Sequence, residues 1–153
     1  MFKGKSTKDG RWLYGSLLQL KGLVFIIPDD VETIEPLGDY KVDPNTVCEK
    51  TELYNHGEQD IWEHDYIADN GTLYEVRKQY DCPGGCWAES GFILYGVNCS
   101  GFLSFEDTIV EYYNEICVQI IGNKFDNSVE EMVAKAEELG AQEQDYLASF
   151  NEL

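Results

Sequence analysis

IWEHDYIADNGTLYEVRKQY, residues 61–80, decides the fold. Residues 61–68 and 72–80 are runs rich in β-branched and aromatic side chains, and Asp69, Asn70 and Gly71 stand between them. Asn followed by Gly accepts positive φ at both loop positions, which matches the twist of a tight two-residue turn, so a β-hairpin is predicted here. The strand period of two then places Tyr74 and Val76, with Lys78, on one face.

Working outward, residues 82–85 read as a loop, because Pro83 donates nothing to a ladder and two glycines follow it. Residues 90–96, 102–110 and 116–121 supply further short strands separated by turn residues, which suggests a small barrel of five or six strands. Upstream, residues 11–20 and 22–28 form an N-terminal hairpin joined through Lys21 and Gly22. Between the two, Asp, Pro and Gly recur over residues 29–45, predicting a loop with one short extended piece at residues 31–34.

Helix enters only at the end of the chain. Ser128 with Glu131 three residues later is a capping box, and Val129, Met132, Val133, Ala136 and Leu139 recur on one helical face until Gly140, where the helix is expected to stop. Residues 142–150 add a second turn or two, with Tyr146 and Phe150 one turn apart, and residues 152–153 fray. The organisation is therefore an N-terminal hairpin and connecting loop over residues 1–41, a small β-barrel over 42–127 and a helical tail over 128–153, with the boundary near Val42.

Composition narrows the function classes. With 153 residues, 43% hydrophobic and 13% aromatic, the chain carries enough apolar surface for a packed core. Its longest apolar run, residues 23–28, is far too short for a membrane helix, and no uninterrupted apolar signal segment follows the basic start, so a soluble cytoplasmic protein is expected. Eleven Lys and Arg against 29 Asp and Glu give a net charge of −18. Residues 1–21 hold five basic residues and only Asp9, a local balance of +4 that leaves −22 for the remainder. A surface of that sign repels nucleic acid and acidic membranes, so direct binding to either is not expected.

Several constellations have an ordinary reading beside the functional one. Gly4, Lys5 and Ser6 copy the tail of a phosphate-binding loop but lack its earlier glycine and preceding strand, and a solvated basic terminus carrying Lys3, Lys5, Lys8 and Arg11 accounts for them. Cys82 and Cys86 have a knuckle-like spacing for zinc, with Cys99, Cys48, Cys117, His56 or His64 as further ligands; the second pair of a structural site is absent, and a loop turned by Pro83 explains the spacing as well. An odd number of cysteines, five, points to reduced thiols. His56 and His64 have no companion motif that makes a triad. Acid pairs such as Asp29 with Asp30 or Glu106 with Asp107 read as solvated faces, and residues 126–138 lack the glycine of a calcium loop. The twenty aromatic residues read as core rather than as stacking platforms, which need a basic groove beside them. No catalytic, cofactor-binding or metal residue is assigned, and no cofactor is expected.

Four blocks taken together, FKGKSTKDGRWLYGSLL (2–18), VDPNTV (42–47), IWEHDYI (61–67) and QIIGNKFDNS (119–128), resemble the YopX family of phage and prophage proteins. The resemblance implies a mainly β fold with an SH3-like small barrel and a phage or prophage origin, and it implies no reaction. Where that family has an acid, a glycine and an aspartate after an aromatic residue, this chain has Glu63, His64 and Asp65 after Trp62, so a retained positive φ would strain His64. The resulting expectation is a non-enzymatic phage accessory protein whose acidic surface binds a basic host protein, such as a nucleic-acid-binding or defence effector that it inhibits by mimicry. Two alternatives stay open: a module organised by zinc at Cys82 and Cys86, and an acidity that serves solubility alone.

Overall fold

A computed structural model describes residues 1–54, 59–79, 91–104, 109–110, 115–116 and 119–151. The chain is mainly β, with two antiparallel sheets and one C-terminal helix, and it divides into two compact units, Met1–Lys50 and Thr51–Leu153. No described helix is long and apolar enough to cross a membrane.

In the first unit β1 (Phe2–Lys5) lies between β2 (Trp12–Leu20) and the first half of β4 (Cys48–Tyr54), and β3 (Leu23–Ile27) pairs with β2 on its far side. The N-terminal hairpin is present as expected: Leu20 faces Leu23 across a two-residue loop in which Lys21 and Gly22 have φ of 52° and 80°. Alternation along the strands buries Val24 and Ile26 against Val42, with Phe2, Leu13, Leu17 and Val47 around them. Val42, at the boundary expected from sequence, thus sits in this core, and the units divide eight residues later, after Lys50. Residues 31–34 form no strand; two 3-10 turns, Leu37–Tyr40 and Pro44–Thr46, shape this stretch instead. Asp43 caps the second of them by accepting from the Asn45 N–H, the preference that Asp has before a helical turn.

The basic start is not a solvated tail. It is the strand β1, hydrogen-bonded on both edges, with the Lys3 side chain buried at 6% exposure and its ammonium 4.6 Å from the Trp12 ring centroid. Lys5 stands over the same ring at 5.4 Å. Sequence reasoning missed the strand because lysines disguise its alternation.

In the second unit β5 (Asp60–Trp62) lies beside the continuation of β4, where the Thr51 hydroxyl donates to the Ile61 carbonyl at 2.7 Å. The main sheet has the order β12-β6-β7-β8-β9, built from β6 (Asp65–Asp69), β7 (Thr72–Lys78), β8 (Phe92–Gly96), β9 (Phe102–Ser104) and β12 (Gln119–Asn123). A short pair, β10 (Ile109–Val110) with β11 (Glu115–Ile116), is separate. The hairpin that decided the fold forms with Asp69 facing Thr72, and Asn70 and Gly71 at φ 50° and 84°. One sheet face packs Ile61, Ile67, Tyr74, Val76, Phe92 and Leu94. The opposite face packs Tyr66, Ala68, Leu73 and Ile121 against Met132 and Ala136 of the helix α1 (Val129–Asn151).

The expected barrel does not close, because β12 and β9 remain opposite edges of an open sheet. Each face has a cover of its own instead: Leu53 and Ile61 pack over one, and α1 packs over β6, β7 and β12 on the other. Helix entry follows the sequence, with the Ser128 hydroxyl accepting from the Glu131 N–H at 3.3 Å. Its end does not, since α1 runs straight through Gly140 to Asn151. Gly140 is a contact, not a stop. A Cβ there would sit 2.6 Å from the Gly71 nitrogen and closer still to its Cα, so only glycine lets the helix backbone rest on the β6–β7 turn.

Alanine raises intrinsic helix propensity by about 1 kcal/mol over glycine, whereas forcing an extra carbon into a packed contact costs about 1–3 kcal/mol. Here both partners are backbone and neither yields by rotating. Gly140→Ala is therefore expected to lower the thermal midpoint, and a raised midpoint in a melting curve would show that the contact is not tight.

Candidate functional site

Two places in the second unit concentrate polar chemistry: a buried charged cluster at the β5–β6 turn, and a groove beside α1. The β5–β6 loop consists of Glu63 and His64, closed by the Asp65 carboxylate accepting from the Trp62 N–H at 2.8 Å. His64 has φ 69°, so the strain anticipated from its missing glycine is present. The left-handed conformation costs a non-glycine residue about 1–2 kcal/mol and persists where surrounding bonds over-determine it. They do so on both sides: the His64 N–H donates to the Val76 carbonyl at 2.7 Å, and the His64 carbonyl accepts from the Lys124 N–H at 3.0 Å.

Held this way, the imidazole points at Glu75, with Nδ1 2.9 Å from Glu75 Oε2 and the ring edge-on to Phe125 at 5.6 Å. Glu75 is 4% exposed. Burial pushes its carboxyl upward, but the His64 hydrogen bond and the Arg77 hydrogen bonds and charge outweigh that and hold it below its ordinary value. An ionised carboxylate only accepts, so Nδ1 carries the proton. Arg77 Nε donates to the same oxygen at 3.1 Å while its guanidinium lies 4.2 Å from the Tyr95 ring centroid. The second imidazole nitrogen faces Glu63 Oε2 at 3.7 Å. Beneath the cluster the Tyr66 hydroxyl is pushed up by burial and then by the Glu75 charge. A histidine oriented by a carboxylate is the geometry of a general base, yet both of its nitrogens already face carboxylates of the cluster. The arrangement fixes the turn and joins β5, β6 and β7.

The other residues singled out from sequence are dispersed. Lys8 pairs with Asp39 at 2.7 Å and Arg11 with Asp9 at 2.8 Å, so these two cations are engaged within their own unit. Cys48 is buried, its thiol donating to the Thr46 carbonyl, and Cys99 is an exposed free thiol. Cys82, Cys86, Cys117, His56, Glu106 and Asp107 lie outside the described residues. Among the described residues no group of three or more His, Cys, Asp or Glu side chains is arranged to hold a metal ion.

The groove was invisible to sequence reasoning because it depends on α1 continuing past Gly140. Leu139, Gly140, Gln142, Glu143 and Tyr146 form one wall of a cavity of about 710 Å³, and the β6–β7 turn with Asp69 forms the other. Burial pushes the Asp69 carboxyl up, and among the described residues it has no ion pair. Farther along, every residue from 141 to 150 is exposed, including Tyr146 at 63%, Leu147 at 56% and Phe150 at 56%. Tyr146 and Phe150 pack edge-to-face at 4.9 Å, as their one-turn spacing expected.

Opposite pH behaviour is expected of the two carboxyls. Glu75 titrates in the folded chain below its ordinary 4.5, so its contribution to stability is complete above that value and is lost as pH falls through the folded pKa. Glu75→Gln is expected to lose about 1–3 kcal/mol at neutral pH, with the gap to the parent narrowing in acid; a gap independent of pH in denaturant titrations would exclude an ionised Glu75. Asp69 titrates above its ordinary 3.8, so its charge opposes folding once pH rises through the folded pKa. Asp69→Asn is expected to raise the thermal midpoint at neutral pH, and a lowered midpoint would reveal a compensating partner. No protein-family model matches the chain, and no curated protein matches it.

Proposed function

We propose that the protein is a non-enzymatic binding module for a basic protein, and that the outer half of α1 is its principal contact surface. The observation that carries this reading is the composition of that half-helix. Tyr146, Leu147 and Phe150 are large, apolar and more than half exposed, which a solvated helix has no need of. Glu143 and Asp145 lie in the same stretch, Glu137 and Glu138 stand just before it, and Lys135 is the helix's sole cation. Aromatic anchors within a charged rim are the anatomy of a protein interface, and the sign of the rim selects a cationic partner.

The balance of −22 beyond Lys21 extends the same preference over the rest of the chain and favours rapid, electrostatically steered encounter. A clustered negative surface can occupy a site built for phosphates, which supports the further reading of a phage accessory protein of YopX type that inhibits a host nucleic-acid-binding or defence effector. An SH3-like ancestry of the main sheet belongs to that same reading.

Protein immobilised at low salt is expected to retain basic host proteins and release them between about 0.1 M and about 1 M salt, as the Debye length shortens from about 10 Å to about 3 Å. Tyr146→Ala with Phe150→Ala, which leaves the charge untouched, is expected to weaken retention at least tenfold, because buried aromatic anchors contribute about 2 kcal/mol or more each. Retention unaffected by salt would overturn the reading, and no retention at all would leave the acidity to solubility.

A further inference from the structure

We propose that Asn70 in the β6–β7 turn is a deamidation site that α1 keeps closed: the docked helix holds the peptide that must turn for the reaction, and Asn70 is converted only when the helix lifts. Asn70 and Gly71 form the sole Asn–Gly step in the chain, and Asn70 is exposed. The chemistry needs no enzyme. The Gly71 backbone nitrogen, once base has taken its proton, attacks the side-chain amide carbon of Asn70; a C–N bond forms, ammonia leaves, and a five-membered cyclic imide joins the two residues. Water then opens the imide at either carbonyl, giving aspartate or, where the main chain is rerouted through the side chain, isoaspartate. Glycine hinders this attack least, since no Cβ stands beside the nitrogen.

Backbone geometry opposes ring closure in the folded chain. The φ values of 50° at Asn70 and 84° at Gly71 belong to a type I′ turn, whose first central residue has ψ of about 30°. At that ψ the Gly71 nitrogen lies across the Asn70 Cα–C bond from Cβ, whereas a ring that contains Cβ, the amide carbon and this nitrogen needs them on the same side. The Asn70–Gly71 peptide must therefore swing through most of a half-turn about that bond before the reaction can start.

What that swing meets is the helix. A Cβ built on Gly140 would overlap the Gly71 Cα, and it would lie 2.6 Å from the Gly71 nitrogen and 3.2 Å from the Asn70 carbonyl carbon. These atoms belong to the peptide that has to move, so the backbone of α1 rests on the moving part itself. Gly140 is buried, and Ala136 and Met132 hold the same helix on the sheet one and two turns earlier. Contact between two backbones does not yield by rotating a side chain. Only lifting of α1 frees the peptide, and the rate in the folded chain is then that of an unconstrained peptide multiplied by the lifted fraction. Conversion is one-way: isoaspartate adds a backbone atom to a two-residue turn, and the turn loses the shape on which Gly140 rests. All of this holds whether or not a partner binds α1.

The test incubates the full chain and an end-blocked peptide of residues 67–74 in the same mildly alkaline buffer, follows the mass gain of amide-to-acid conversion and maps it to Asn70. The chain is expected to react at least tenfold more slowly than the peptide, tenfold corresponding to about 1.4 kcal/mol for lifting the helix. Gly140→Ala presses a carbon into the turn and Met132→Ala leaves a cavity under the helix; each is expected to raise the rate at Asn70 several-fold. Ile26→Ala, a comparable loss placed in the core of the first unit, is expected to leave that rate within twofold. A chain that reacts as fast as the peptide would overturn the proposal. So would an unchanged rate in both helix variants, which assigns the protection to the turn alone, or an equal rise in Ile26→Ala, which assigns the reaction to general unfolding. Should Gly140→Ala fail to fold, Met132→Ala carries the same test from eight residues away.

Discussion

Two backbones meet where Gly140 of α1 rests on Gly71 of the β6–β7 turn, and most of the second unit's architecture is a consequence of that contact. It sets the height of the helix over the sheet, so that Met132 and Ala136 reach Tyr66, Ala68 and Leu73 without a gap. A helix seated this closely packs over β6, β7 and β12, the half of the sheet nearest that turn. The same contact is a fulcrum. Before it the helix is half-buried; beyond it residues 141–150 leave the sheet behind and stand in solvent, and the space under their departure is the groove.

At the other end of that sheet face the constraint is electrostatic. Glu75 sits on the same side of β7 as Leu73, so the strand's alternation carries a carboxylate into a surface that is otherwise packing apolar side chains. An unpartnered charge there would cost several kcal/mol. His64 and Arg77 remove the problem from two directions, each with a bond of about 3 Å, and Tyr95 backs the guanidinium. The magnitudes explain why a histidine occupies a left-handed turn position that favours glycine. Strain of about 1–2 kcal/mol is outweighed by a charge-assisted hydrogen bond of about 1.5–3 kcal/mol to a carboxylate that would otherwise be left short of a donor. A glycine in that turn would relax the backbone and abandon Glu75.

What the sequence made legible was local. The Asn70–Gly71 and Lys21–Gly22 loops, the Ser128 cap and the helical face through Met132 and Ala136 each depend on neighbours within a few residues, and each is found as expected. What it concealed was tertiary. Gly140 reads as a terminator because glycine most often ends a helix, and only the approach of Gly71, some seventy positions earlier in the chain, reveals the other reason for a missing side chain. Lys3 and Lys5 read as solvated because lysine usually is, and only Trp12 across the β1–β2 ladder explains how a strand buries a lysine stem while keeping its ammonium on a ring face. The charged cluster was half visible, since the positive φ of His64 could be anticipated but its partner Glu75, eleven residues on, could not.

Charge and exposure converge on the outer helix in a way that stability alone does not account for. A terminal segment that served only to cap the sheet would end where contact ends, near Gly140, and its exposed positions would tolerate polar residues throughout. Instead the helix continues for eleven more residues and spends three of its exposed positions on Tyr146, Leu147 and Phe150. Large exposed aromatic and aliphatic side chains work against solubility, and burying them under a partner is the role that the proposed binding function gives them.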